Sequence, residues 1–248
     1  MKKFIILLFF IFISVNIFAQ ELTPVECLAR ADTAMRYGRF VDAIKLLDKY
    51  VEMSDKNPDV FFKRGLSYYS LFKFPEATKD FNAAIALDST YAMAYNMLGL
   101  INMRNNLNTQ AINNFSKAIK SKVFFPEAYN NRGYAYYLSG DNENAMEDFN
   151  KALEQNPNYA EAFLYRGIVR YANGDFDISV QDFTKALNNN KNLVEAYFYR
   201  GMAYKFLEKW VNAKQDLEYV VKSGSKYNKD AKIFLDEVNK KINEQKNK

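Results

Sequence analysis

Small and large apolar residues recur along this chain at a fixed interval of 34 residues, and the register holds from residue 24 to residue 227 without insertion or deletion. Gly65, Gly99, Gly133, Gly167 and Gly201 mark one row. Twelve positions beyond that row stands a second set of small residues, Ala43, Ala77, Ala111, Ala145, Ser179 and Ala213. Four positions further are Leu47, Phe81, Phe115, Phe149, Phe183 and Leu217, followed by Ala84, Ala118, Ala152 and Ala186 in the middle intervals. Two antiparallel helices that pack closely need this alternation, small side chains permitting approach and large ones filling the space beside them. The pattern therefore predicts six helix-turn-helix units, over 24–57, 58–91, 92–125, 126–159, 160–193 and 194–227. Thr23-Pro24-Val25-Glu26 reads as a capping box with proline at the first helical position, and Asn57-Pro58 repeats the cap-plus-proline signal. Gly38, Gly140 and Gly174 mark turns inside units. Phe72 and Glu208 replace that residue in units two and six, which predicts at most slightly different turns there, absorbed by the fold since the spacing is unbroken. Beyond the last unit, Ala231, Phe234, Leu235, Val238 and Ile242 fall on one helical face, so residues 228–248 are expected to form a capping helix and a lysine-rich tail.

The fourth unit, Pro126-Glu-Ala-Tyr-Asn-Asn-Arg-Gly-Tyr-Ala-Tyr-Tyr and on through Gly140 and Ala145 to Pro157, resembles the tetratricopeptide repeat almost position for position. The resemblance extends over all six units. It implies an all-α fold, a right-handed superhelical α-solenoid with a concave and a convex face. One departure stands out. Position seven of each unit, usually a buried leucine in that family, is Arg30, Arg64, Arg132, Arg166 and Arg200, and only Leu98 keeps the usual type. Sixteen residues downstream of four of these arginines lie Asp80, Asp148, Asp182 and Asp216, whereas Leu98 is matched by the uncharged Asn114 and Arg30 by Leu46. The pairs vary together, which predicts an arginine-carboxylate bridge inside each such unit. The competing reading, a row of arginines that binds anions, would require buried charges to lack a counter-ion of their own.

Composition narrows the function. The chain has no histidine, which removes the commonest general base, the commonest metal ligand and every Ser-His or Cys-His nucleophile. No Gly-rich phosphate loop, nucleotide fingerprint or metal-spaced cluster appears, so neither a catalytic role nor a cofactor or metal is expected. Carboxylates such as Glu127, Glu161 and Glu195 recur at position two, where a solvated first helical turn accounts for them. The formal charge of +5 is uneven: residues 20–221 hold 24 basic and 25 acidic residues, while residues from 222 onward hold eight lysines against four acids. The repeat body is thus not expected to bind nucleic acid. The lysines of the C-terminal tail are the one place from which membrane contact is offered.

Lys2 and Lys3 precede an apolar run from Phe4 to Val15, and Phe18-Ala19 offers a cleavage point before Gln20. Residues 1–19 read as a secretory signal peptide, shorter than the ~20 apolar residues a membrane span needs. Together with composition this predicts an exported bacterial protein, periplasmic in the first instance, with secretion or cell-surface display as the alternatives. Cys27, the single cysteine, can form no internal disulfide and falls at position four, where the other units place Phe61, Tyr95, Tyr129, Phe163 and Tyr197, so it is expected in the core.

With no chemistry to perform, function is expected on a surface. The resemblance implies that positions two, five, nine and twelve of the first helix of each unit face the concave groove. Position nine reads Asp32, Leu66, Leu100, Tyr134, Ile168 and Met202, and position twelve reads Met35, Tyr69, Met103, Tyr137, Tyr171 and Lys205. Position five reads Leu28, Phe62, Asn96, Asn130, Leu164 and Phe198. Five successive apolar residues at position nine predict a strip of roughly 40 Å along the groove, since neighbouring helices stand ~8 to 10 Å apart. Asn96 and Asn130 would hydrogen-bond an extended peptide while Tyr69, Tyr137 and Tyr171 cover its apolar side chains. The alternative for these tyrosines is packing against the next unit. Relatives that clamp a terminal carboxylate have Lys at position five and Asn at position nine, and neither occurs here. The sequence thus leads to a non-catalytic module that binds a protein or extended peptide. The alternative is a scaffold or self-assembling envelope component using the convex face and C-terminal helix.

Overall fold

A computed structural model describes residues 22–54 and 56–246. Among them are thirteen α-helices and no strand. Helices α1 (Pro24–Arg36), α3 (Pro58–Ser70), α5 (Ala92–Arg104), α7 (Pro126–Leu138), α9 (Ala160–Ala172) and α11 (Val194–Phe206) alternate with α2 (Phe40–Met53), α4 (Phe74–Leu87), α6 (Asn108–Ser121), α8 (Asn142–Gln155), α10 (Phe176–Asn189) and α12 (Trp210–Ser223). Helix α13 (Asn228–Lys246) follows. Each odd helix packs on the even helix after it, and each even helix on the next odd one, so the chain forms an all-α solenoid. Successive odd helices also touch directly from α5 to α11. Even helices α8 and α10 splay apart, leaving between them an open cleft of about 710 Å³ floored by Phe163 and Arg166. The odd helices therefore line the inner, concave side and the even helices the outer one. The signal-peptide reading of residues 1–19 lies outside the described residues.

The capping box forms: the Thr23 hydroxyl accepts from the Glu26 amide at 3.3 Å, and the Thr23 amide donates to the Glu26 carboxylate at 2.8 Å. Inside each unit the seam is tight where the small row meets the large one. Phe81, Phe115, Phe149 and Phe183 are fully buried. A Cβ on Gly65 would lie 2.7 Å from the Phe81 ring, whereas one on Gly201 would lie 3.1 Å from the smaller Leu217. Cys27 is fully buried, as its position predicted. In α13, Ala231 and Val238 are buried with Leu217 and Val220 of α12, and Phe234, Leu235 and Ile242 pack against the same cluster.

The turns at Phe72 and Glu208 do not differ from the glycine turns, not even by the slight amount the sequence allowed. Phe72 (φ 59°) and Glu208 (φ 56°) take up the same left-handed backbone as Gly140 (φ 81°), and Asn106 (φ 59°) joins them in the third unit. The reason is a shared hydrogen-bond pair. The Phe72 amide donates to Tyr69 O and the Lys73 amide to Tyr68 O, both at 2.9 Å, as the amides of Gly140 and Asp141 donate to Tyr137 O and Tyr136 O at 3.0 Å. Two backbone hydrogen bonds and the packed helices on either side impose the conformation, whatever the side chain.

The arginine-carboxylate bridges are present in all four units that carry both residues. In each, Nε and Nη2 of the guanidinium donate to the two oxygens of one aspartate: Arg64 to Asp80 at 2.8 and 2.7 Å, and Arg132 to Asp148 at 2.7 Å for both. Arg166 and Arg200 hold Asp182 and Asp216 in the same fork. The anion-binding reading fails because these forks are already occupied. The sequence did not disclose the third bond. Nη1 of each arginine reaches back into the preceding unit, to Asp48 from Arg64, Ser116 from Arg132, Asn150 from Arg166 and Thr184 from Arg200, at 2.6 to 3.2 Å. One guanidinium thus joins two helices of its own unit and stitches that unit to its predecessor. Burial pushes the Asp148 and Asp216 carboxyls above the ordinary range, and their arginines offset only part of that.

Candidate functional site

The concave face is built from the odd helices, whose 34-residue spacing lays equivalent positions side by side. The rows selected from sequence divide into two groups. Leu66, Tyr69, Leu100, Met103, Tyr134, Tyr137 and Tyr171 are half-buried and reach the surface. Phe62, Asn96, Asn130, Leu164, Ile168, Phe198 and Met202 are buried. The apolar strip expected along position nine is therefore shorter than predicted, because it sinks into the core from the fifth unit on. The cause is aromatic cover. Tyr137, Tyr171 and Tyr199 pack against the cluster containing Leu164 and Ile168, while Phe234 and Leu235 of α13 pack against the one containing Phe198 and Met202.

Position six, a row not picked out from sequence, supplies much of what the groove displays. Lys63 Nζ lies 2.6 Å from Asp32 Oδ1 of the preceding unit. Asn131 Nδ2 donates to Asn96 Oδ1 at 3.1 Å. The Tyr165 ring stacks on Tyr134 with centroids 4.5 Å apart, and the Tyr199 ring meets Tyr171 edge-on at 5.7 Å. The signal was available, since Lys63, Met97, Asn131, Tyr165 and Tyr199 recur at the same interval. Asn130, one residue before Asn131, is 4% exposed and its Oδ1 accepts no hydrogen bond. A buried amide oxygen without a donor costs about 1–3 kcal/mol.

Acidic residues fringe the groove at position two. The Tyr227 hydroxyl donates to Glu195 Oε1 at 2.5 Å, and the Tyr91 hydroxyl to Asp59 Oδ1 at 2.5 Å, two copies of one arrangement. Glu195 also lies close enough to Tyr134, Tyr165 and Tyr199 to oppose ionisation of their phenols, which burial already disfavours. The Tyr199 pKa is pushed up to about 12 by burial first and Glu195 second. Tyr227 thus ties Glu195 to the segment before α13, and its ring lies beside Tyr199 at 6.4 Å. No cluster of metal-ligating side chains occurs among the described residues, and none of their helices is long and apolar enough to cross a membrane.

Two stretches match family models described as tetratricopeptide repeat, residues 28–92 and residues 126–159. No curated protein matches the chain in sequence. Among solved structures, MamA is 26% identical, with a TM-score of 0.58 over 65% of this chain and 94% of that one. PilF of Pseudomonas aeruginosa superposes with a TM-score of 0.76 at 16% identity, covering 85% of this chain and 96% of its own. YrrB, described as a tetratricopeptide-repeat protein with an unusual peptide-binding site, gives 0.58 at 19% identity over 71% of this chain and 91% of that one.

Proposed function

We propose that this chain, a member of the tetratricopeptide-repeat family, is a non-catalytic interaction module that takes an extended segment of another protein along its concave groove. The observation that carries the reading is the apolar strip that reaches the surface on successive groove helices, from Leu66 and Tyr69 of α3 to Tyr134 and Tyr137 of α7. An extended ligand lying along it turns alternate side chains toward that strip. Half-buried Leu100, Met103, Tyr134 and Tyr137 offer apolar cover for the ligand's side chains. The peptide-binding site described for the structural relative YrrB accords with this use of the fold.

Self-assembly through the convex face and the C-terminal helix is the competing reading. The apolar stripe of α13 is spent against the cluster of α12, which leaves that helix a largely polar outer face on which Ile233 is the exposed large apolar residue. We further propose that the protein is exported through residues 1–19 and works in the periplasm, and a mature N-terminus at Gln20 in an envelope fraction is the expected result.

The test places a photo-crosslinking residue at Met103 or Tyr137 in the groove, or at Asn188 on the outer face, in cells that produce the protein. Adducts from the groove positions alone, mapped to one segment of a partner, are expected. Adducts from Asn188 alone overturn the groove reading.

A further inference from the structure

The charges of the concave face are one-sided. Asp59, Glu127, Glu161 and Glu195 occupy position two from the second unit to the sixth, interrupted only by Met93. Among the position two, five, six, nine and twelve rows the cations are Lys63 and Lys205, and each is held by a carboxylate: Asp32 at 2.6 Å and Glu237 at 2.5 Å. The acids have no such cationic partners. Asp59 and Glu195 accept from tyrosine hydroxyls, which leave a carboxylate its charge. An acidic fringe over aromatic walls is the complement of a cationic, partly apolar ligand.

The fringe is best furnished around Glu195. Tyr227, which holds Glu195, lies beside Tyr199 with ring centroids 6.4 Å apart, Tyr165 and Tyr199 pack against one core cluster, and the hydroxyls of Tyr134, Tyr165 and Tyr199 make no hydrogen bond to any described residue. Their rings are half-buried and held by stacking, Tyr134 on Tyr165 at 4.5 Å and Tyr165 near Phe149 at 6.0 Å, so they present fixed ring edges and fixed hydroxyl oxygens. A guanidinium or ammonium group entering there meets a carboxylate and hydroxyl acceptors together, and its aliphatic stem meets apolar surface.

Resting on the groove reading above, we propose that the segment bound in the second half of the groove is basic, and that one of its lysine or arginine side chains seats among Tyr134, Tyr165 and Tyr199 against Glu195. Met103 and Tyr137, on earlier helices of the groove, cover apolar side chains of the same segment. A nine-residue extended peptide spans about 30 Å, enough to reach from Tyr137 to Glu195.

The experiment measures fluorescence anisotropy of three labelled nonapeptides with the full chain: one alternating Lys with Leu and Tyr, and two in which Gln or Glu replaces every Lys. The Lys peptide is expected to bind about tenfold tighter than the Gln peptide, and Glu195→Gln to abolish that advantage while leaving the Gln peptide's affinity unchanged. Glu195→Gln keeps an oxygen for the Tyr227 hydroxyl, and unchanged helicity and melting confirm that it folds. Glu147→Gln, on exposed α8 surface, controls for bulk charge and is expected to change nothing. Equal binding of Lys and Gln peptides, tighter binding of the Glu peptide, or an advantage that survives Glu195→Gln overturns the proposal. If the Gln peptide still binds and Met103→Glu releases it, the groove reading stands without its cationic site. If no peptide binds, both fall.

Discussion

The junction between the second and third units differs from the other inner junctions in what fills position seven. At the others a guanidinium donates to an aspartate of its own unit and to a polar side chain of the unit before, as Arg132 does with Asp148 and Ser116. At the second-third junction Leu98 lies in an apolar cluster with Phe61, Phe62, Phe81 and Ala94. Its would-be partners are Asn114, half-buried, and Asn82, exposed. The same backbone therefore accepts either a charged set or an uncharged one. What no unit shows is a buried aspartate without its arginine; the reverse, Arg30 opposite Leu46 in the first unit, leaves an exposed arginine that water solvates. That follows from desolvation, because a paired charge is tolerable in the interior and an orphaned one is not.

The largest expected effect breaks the set on one side. Arg132→Leu copies the third unit's residue but leaves Asp148, whose side chain is 4% exposed, without its cation. Urea unfolding is expected to show a loss of about 3–5 kcal/mol at neutral pH. The pH dependence has a definite sign. Burial already raises the folded-state pKa of Asp148, and removing the arginine raises it further. A raised pKa means that the folded chain holds the proton more readily, so stability is greatest below the unfolded value near 3.9 and falls as pH rises through the folded one. The variant is therefore expected to recover stability as pH is lowered from 7 toward 5. A variant as stable as the parent at pH 7 would show that the fork contributes nothing.

Completing the copy sharpens the comparison. Arg132→Leu combined with Asp148→Asn reproduces the pairing of Leu98 with Asn114. The double variant is expected to lie within about 1 kcal/mol of the parent, since replacing both members of a buried pair is often nearly neutral. The double-mutant cycle then yields a coupling of at least about 2 kcal/mol. Absence of coupling would mean that arginine and aspartate vary together along the chain for some reason other than their contact.

A smaller effect separates the units by their apolar seams. A Cβ on Gly99, in the unit without an arginine at position seven, would press on the Phe115 ring more closely than at any of the other four equivalent glycines, while on Gly201 it would lie 3.1 Å from a Leu217 side chain able to shift. Gly99→Ala is expected to cost about 1–3 kcal/mol by overpacking. Gly201→Ala is expected to cost less, because Leu217 can shift by a few tenths of an ångström where the Phe115 ring cannot, while the gain of about 1 kcal/mol in helix propensity is common to both. Equal melting temperatures for the two variants would remove the distinction between the seams.

The fold was legible because repetition turns a weak local signal into a strong one. The glycine at 65 says little, but five glycines at one interval, each followed sixteen residues later by Phe or Leu, specify a helix pair. The bridges were legible for the same reason, through the exception at Leu98 and Asn114. Their third bonds were not, since Asp48, Ser116, Asn150 and Thr184 share only the ability to accept a hydrogen bond and form no conspicuous row. The groove was read at the level of rows and missed at the level of exposure. Ile168 and Met202 occupy the same position as Leu66 and Leu100, yet are covered by aromatic side chains from neighbouring units and from α13. Depth depends on what the next unit contributes, and position six, which contributes it, varies from Lys63 to Asn131 to Tyr199.

The smallest effect concerns a feature that stitched and unstitched units share, the left-handed residue of the turn. Glu208 is exposed and has φ 56°, a conformation that costs a residue with a Cβ roughly 1–2 kcal/mol relative to its preferred one. Glu208→Gly relieves that strain but gives the unfolded chain more freedom, so the net gain is expected at about 0.5–1 kcal/mol. Asn106→Gly in the third unit is expected to gain less, because asparagine enters this region more readily than glutamate. The ordering should follow the turn residue and ignore whether the unit carries an arginine. If Asn106→Gly were the more stabilising of the two in thermal unfolding, the absence of the stitch at Leu98 would be straining the third unit's backbone, and the apolar junction could not be called the equal of the polar ones.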